Sequence, residues 1–202
     1  PAPLDTGHDR GIAGYCVCRR GRQYFGDVLR AFLRVISMGP TNIDIRVFEA
    51  QDWDAICAVY QSAAMVELAL TGGDASVFRP MPEEEDKDKF LEINTAAVAC
   101  LDHDVIGFSA WRDRGSWQGS GYLSWLYVDP AHHGCGIGNQ LLVRAMASLG
   151  AEAWTLTKLG NDPAIGLYQK HGMQIVVSRV RDAGEYAHTE LRLALPTSRK
   201  FD

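Results

Sequence analysis

Three glycines at alternate positions, Gly134, Gly136 and Gly138, stand between an apolar run and an amphipathic one. Before them, Leu123-Ser124-Trp125-Leu126-Tyr127-Val128 is aromatic and aliphatic and is closed by Asp129-Pro130, which reads as a buried strand ending in a turn. After them, Leu141, Leu142, Ala145, Met146 and Leu149 recur at helical spacing and Gly150 marks a stop. Glycines at alternate positions leave no side chains in the way, so several backbone N–H groups can converge on one point. The start of the following helix adds its dipole, and the pair makes a site for phosphate or pyrophosphate. A P-loop would need Gly-Lys-Ser/Thr where Gly138-Asn139-Gln140 stands, and a dinucleotide fingerprint would need G-x-G-x-x-G with an acid about 20 residues on. The spacing here is G-x-G-x-G, and position 158 is a lysine. A plain glycine-rich connection stays open on the loop alone.

A second pattern lies downstream. Asn161-Asp162-Pro163-Ala164-Ile165-Gly166-Leu167-Tyr168-Gln169-Lys170-His171-Gly172-Met173 resembles Asn-x-x-Ala-x-x-Leu-Tyr-x-Lys-x-Gly-Phe, a signature of the GNAT superfamily of N-acetyltransferases. The glycine loop resembles the acyl-CoA motif of the same superfamily, Gln/Arg-x-x-Gly-x-Gly/Ala, filled here by His133-x-x-Gly136-x-Gly138. The two stand in the family's order with one strand, Trp154 to Leu159, between them, and the resemblance covers roughly residues 42–195.

The resemblance implies acetyl transfer from acetyl-CoA, as co-substrate, to a primary amine. That reaction needs the CoA gripped, the amine deprotonated, the oxyanion stabilised and the leaving thiolate protonated. It assigns the pyrophosphate to backbone N–H groups of Gly134, Cys135, Gly136, Ile137, Gly138 and Asn139, and the pantetheine arm to the main chain of Leu126, Tyr127 and Val128. His133 departs from the Gln/Arg of the pattern; a neutral imidazole still offers one hydrogen bond to phosphate, with less charge. Tyr168 matches the residue that faces the sulfur, and a phenol with pKa near 10 is protonated at pH 7 and can serve the thiolate; a core aromatic is the other use of the same residue. Asn161 can bond the pantetheine or cap the helix that contains Ala164. No carboxylate lies between Gly121 and Val128, which leaves deprotonation to a water held by Ser124 or backbone carbonyls, to Glu67, Asp113 or His132, or to no dedicated base, as in some members of the family it resembles. Adjacent His132 and His133 lack a third ligand in the loop, and no metal is expected. An acyl-CoA-binding sensor or docking module without catalysis is the alternative.

The elements that must position these groups follow from periodicity. Ile43 to Glu49 alternates as a half-buried strand, and Asp52 is placed to cap a helix with Trp53, Ile56, Tyr60, Ala63 and Ala64 on one face. Pro82 suits a first helical position, followed by Glu83 to Asp86 and then Lys87 and Lys89, the charge order of a solvated helix start; a cationic-substrate site is the sharper use. Asn94–Leu101 and Val105–Arg112 read as a hairpin, and residues 174–180 and 186–195 as two late strands. The order βααβββαβαββ predicts an α/β (mixed α+β) fold, a mostly antiparallel mixed sheet flanked by helices.

The 202 residues carry a formal net charge of −5, without the basic footprint of a nucleic-acid binder. No run of 18 apolar residues suggests a membrane span. Five scattered cysteines without C-x-x-C spacing fit a reducing, cytoplasmic setting. Residues 1–38 differ from the rest: six arginines, three aspartates and no lysine. They are expected to form an extension, disordered or weakly helical, outside a catalytic domain over 39–202, with a targeting or regulatory arm as the alternative. The resemblance to the GNAT superfamily implies that acceptor choice lies in Trp53–Glu92 and Arg181–Tyr186, and homodimerisation is left open.

Overall fold

Residues 96–100 are buried without interruption, whereas none of 43–47 is fully buried and Asp44 and Val47 are exposed, against the strict alternation expected there, so the sheet has a covered centre and an open edge. The computed structural model describes residues 42–73, 84–112, 121–150, 152–183 and 186–195. The expected extension over 1–38, Pro82 and Glu83, Asp113, and the turn at 184–185 lie outside the described residues.

Seven strands, β1 (Ile43–Val47), β2 (Thr95–Leu101), β3 (Asp104–Arg112), β4 (Tyr122–Val128), β5 (Trp154–Lys158), β6 (Gln174–Ala183) and β7 (Tyr186–Ala194), form one sheet in the order β1-β2-β3-β4-β5-β7-β6. Every pairing is antiparallel except β4 with β5, which the helix α3 (Ile137–Leu149) connects. Helices α1 (Trp53–Thr71), α2 (Glu84–Ile93) and α4 (Asp162–Lys170) complete the set. The order of strands and helices is the one read from periodicity.

Alternation along β2, and along β3 from Gly107 onward, past the irregularity at Ile106, sends even-numbered side chains to one face and odd-numbered ones to the other. Val98, Cys100, Phe108 and Ala110 pack with Trp53, Ile56 and Val59 of α1 and Phe90 of α2. Ala97, Trp111 and Leu123 pack with Leu142, Ala145 and Leu149 of α3, and Tyr168 of α4 joins that cluster. Two apolar cores thus hold the sheet from both sides. Asp102 and His103, with φ of 50° and 82°, make the two-residue turn of the β2–β3 hairpin.

The expected cap at Asp52 is corrected. Its carboxylate makes no capping bond to α1; it accepts two 2.7 Å hydrogen bonds from the Arg46 guanidinium and one of 2.8 Å from the Glu49 N–H. A bidentate charged donor outcompetes a neutral backbone N–H for the same oxygens. The Arg46 guanidinium holds the Asp52 carboxyl below its ordinary pKa, against the opposing effect of burial. Residues Trp53, Ile56, Ala63 and Ala64 are buried on α1 as expected, together with Val59 and Leu68.

Candidate active site

The central parallel pair does not stay together. β4 and β5 are registered only at Tyr122 with Trp154 and Leu123 with Thr155, after which each strand runs on without the other. The Thr155 hydroxyl donates to the Leu123 carbonyl at 3.0 Å and pins the point where they part. On its other side β4 pairs with β3, but Ala110 faces Trp125 and Trp111 faces Leu123, so Ser124 is an unpaired bulge. Beyond it the Asp129 N–H bonds the Ile106 carbonyl at 2.9 Å. By the alternation of an antiparallel ladder, Tyr127 then turns its backbone groups to β3, while Leu126 and Val128 turn theirs to the open edge.

The gap so formed is a cleft of about 650 Å³. The glycine loop closes one end. After a 3-10 turn at Pro130–His132, Gly134 and Gly136 take φ of 78° and 80°, a left-handed conformation that side chains resist. Gly136 is the N-cap of α3 and brings no side chain to the first-turn N–H groups. A Cβ built at Gly134 or Gly136 meets nothing within 4 Å. Uncapped donors beside open space at a helix start are what an anion needs. Ile137 buries its side chain in the core and offers only backbone. Asn139 is held by its neighbour, with the His171 Nε2 2.9 Å from its Oδ1.

His133 is engaged locally: its Nε2 lies 2.9 Å from the Val128 carbonyl oxygen. An imidazole that donates there has Nδ1 left, which in the neutral ring accepts rather than donates. Cys135 points its thiol toward the His133 carbonyl at 3.8 Å and lies off the cleft wall. Asn161 caps α4, accepting from the Ala164 N–H at 3.4 Å. Asn161 and Ala164 both line the cleft.

The other end of the cleft gathers polar groups on apolar walls. Tyr168 is 5% exposed, and burial, opposed by its hydrogen bond with Thr155, raises its pKa well above that of a free phenol. Tyr127 is raised as well, by burial first and then by the Glu67 charge. Glu67, on α1, accepts a 3.3 Å hydrogen bond from the Tyr127 hydroxyl and pairs with Lys158 Nζ at 3.2 Å. The Ser124 hydroxyl is buried and has no hydrogen-bond partner, a state that costs on the order of 1–3 kcal/mol unless something else satisfies it.

Every described residue the sequence singled out for catalysis or CoA contact lines this one cleft, apart from Cys135; Asp113 lies outside the described residues. Of the three candidate proton acceptors, Glu67 and His132 line it. Thr155, Leu156 and Thr157 line it as well and were not singled out; only the short polar alternation Thr155-Leu156-Thr157-Lys158 could have pointed to them. Among the described residues no three His, Cys, Asp or Glu side chains come together as a metal site, and no helix is long and apolar enough to cross a membrane.

Residues 92–174 match the model of the acetyltransferase (GNAT) domain. No curated protein matches the chain. Among solved structures, the chain is similar to the ribosomal-protein-S18-alanine N-acetyltransferase of Escherichia coli, at 19% identity and a TM-score of 0.60, covering 79% of this chain and 96% of that one. A Salmonella typhimurium protein whose structure includes its cofactor acetyl-CoA aligns at 21% identity and a TM-score of 0.58, over 80% of this chain and 99% of that one. The PaiA N-acetyltransferase of Thermoplasma acidophilum, in complex with coenzyme A, aligns at 18% identity and a TM-score of 0.51, over 75% and 98% of the two chains.

Proposed function

We propose, from the match of residues 92–174 to the acetyltransferase (GNAT) domain, that the protein moves an acetyl group from acetyl-CoA to a primary amine by direct attack in a ternary complex. One observation carries the reading: a strand edge and an uncapped helix start open onto the same cleft. A phosphorylated carrier with an amide-bearing arm suits both features at once. The backbone groups of Leu126 and Val128 would pair with the arm as an added strand does, and the first-turn N–H groups of α3 would hold the pyrophosphate. The orphaned Ser124 hydroxyl, at the bulge, supports substrate being the missing partner.

Tyr168 is the group suited to the leaving sulfur. Its raised pKa keeps the phenol protonated wherever the enzyme works, so a hydrogen is always present to stabilise a thiolate whose conjugate acid has pKa near 8.5. Residues 39–202 form the proposed catalytic unit, and the acceptor is a small-molecule amine or a protein amino group. The Escherichia coli relative is named for an alanine of a ribosomal protein, which makes a protein N-terminus one acceptor to try.

Calorimetric titration with acetyl-CoA, and with NADH as the competing nucleotide, tests the proposal. Binding of acetyl-CoA alone, followed by thiol release with an amine, is the expected result. Binding without thiol release would favour an acyl-CoA sensor, and binding of neither would end the reading.

A further inference from the structure

The cleft is electrically two-ended, and the carboxylate at its second end has no assigned role. The start of α3 offers donors and a positive dipole end. The opposite wall offers Glu67, the only carboxylate among the described residues lining the cleft. The other charged or titratable groups near Glu67 are Lys158, paired with it at 3.2 Å, and the tyrosines Tyr60, Tyr127 and Tyr168, whose pKa values its charge raises. Lys170, His132 and His133 line other parts of the cleft. We infer that Glu67 receives the acceptor's ammonium group and takes its proton as the amine attacks; the inference rests on the acetyl-transfer reading above.

The geometry supports this in three ways. A carboxylate has about four lone-pair positions, and Tyr127 and Lys158 occupy two, so room remains for an ammonium. Those two partners also fix the carboxylate across the mouth of the splayed strands, one on β4 and one on β5. Finally, Tyr127, which bonds Glu67, and Trp125, whose ring centroid is 6.0 Å from that of Tyr127, both line the cleft. Aromatic faces favour a cation over a neutral group. The substrate class that fits is an aliphatic amine, charged at neutral pH, rather than an arylamine or an alcohol.

The step balances. The R–NH₃⁺ group gives one proton to the Glu67 carboxylate, and the freed nitrogen lone pair forms a bond to the thioester carbonyl carbon. When the C–S bond breaks, the sulfur keeps the electron pair and accepts a proton, with Tyr168 as donor. The second nitrogen proton restores Tyr168 through solvent, and Glu67 releases its own to water, so one proton is produced per turnover.

A purely structural use of Glu67, as a strut from α1 to β5 through Lys158, makes different predictions. Wild type, Glu67→Gln and Lys158→Met are compared by thiol release with two ammonium probes, a lysine-free peptide with a free N-terminal alanine and spermidine, and with aniline as an uncharged amine. Acetyl-CoA affinity is read separately by calorimetry. The expected result is that Glu67→Gln binds acetyl-CoA as wild type does. Its kcat/KM with an ammonium probe at pH 7 falls by about 100-fold or more. The defect shrinks as rising pH delivers the amine already deprotonated, and aniline turnover falls little. Lys158→Met loses one of the two groups that hold the carboxylate but keeps the carboxylate itself, so its kcat/KM falls less than that of Glu67→Gln. A defect independent of pH and equal in both variants would overturn the inference in favour of the strut. So would wild-type turnover by Glu67→Gln, or a wild type that binds acetyl-CoA yet acetylates neither ammonium probe. A wild type that fails to bind acetyl-CoA would instead overturn the acetyl-transfer reading itself.

Discussion

At the scale of single residues, Tyr168 and Ser124 are read through what their hydroxyls touch. Tyr168 packs with Met173 and Leu193 and also lines the cleft, so its ring and its hydroxyl have separable uses. Tyr168→Phe keeps the ring. The expected outcome is unchanged acetyl-CoA affinity by calorimetry with kcat lowered on the order of 100-fold in a thiol-release assay; a wild-type rate would leave Tyr168 as packing alone. Ser124 invites the opposite comparison. Its buried hydroxyl has no partner, so Ser124→Ala relieves a desolvated polar group and is expected to raise the apoprotein's Tm by about 2–4 °C. If the hydroxyl serves substrate, the same variant binds acetyl-CoA or turns over more weakly. A lower Tm in thermal melts would show that the hydroxyl is satisfied in the free protein. The hydroxyl's isolation could not be read in the sequence, because the bulge that strands it depends on the register between β3 and β4. Tyr168, by contrast, was legible from its place in a dense local motif.

Between neighbouring elements, the readable features are local and the unreadable ones join distant segments. The glycine loop announced itself because φ near 80° at Gly136 demands glycine and the helical spacing begins at once after it. Gly136→Glu is expected to abolish acetyl-CoA binding in calorimetry, since its side chain enters open space beside the uncapped N–H groups and carries the wrong charge. Gly136→Ala, with the same backbone strain and no charge, is expected to retain measurable binding, which separates repulsion from misfolding. At the other side of the sheet, Asp52 reads as a helix cap from its position but serves Arg46 six residues earlier, across the β1–α1 junction. Because the folded pKa of Asp52 is lowered, its stabilisation is present above the ordinary value of 3.8 and is lost as pH falls below it. Asp52→Asn should therefore cost about 2 kcal/mol in urea unfolding at pH 7. Its deficit should narrow below pH 4; a deficit constant with pH would assign the effect to shape alone. Glu67 was hard to weigh for the same reason as Asp52: its partners, Tyr127 and Lys158, are 60 or more residues away.

Over the whole molecule, the two cores and the cleft form one argument. The sheet is clamped by α1 and α2 on one face and by α3 and α4 on the other. The parting of β4 from β5 therefore leaves a gap walled by both layers: Glu67 enters from α1, and the anion-binding turn from α3. Every described residue lining the cleft falls between Ala63 and Lys170, and Pro40–Asp202 forms one compact unit. A fragment spanning residues 39–202 is accordingly expected to unfold in a single cooperative transition. Its acetyl-CoA affinity in calorimetry should match that of the full chain. The arginine-bearing stretch over 1–38 has formal charge +3 against −8 for the remainder, so its charge favours long-range attraction of an anionic carrier. That contribution would be screened by salt. Equal affinities at low and high ionic strength would place the whole site within 39–202. An affinity for the fragment that is weaker only at low salt would assign the arginines a steering role, and a loss at every salt concentration would move part of the binding site into residues 1–38.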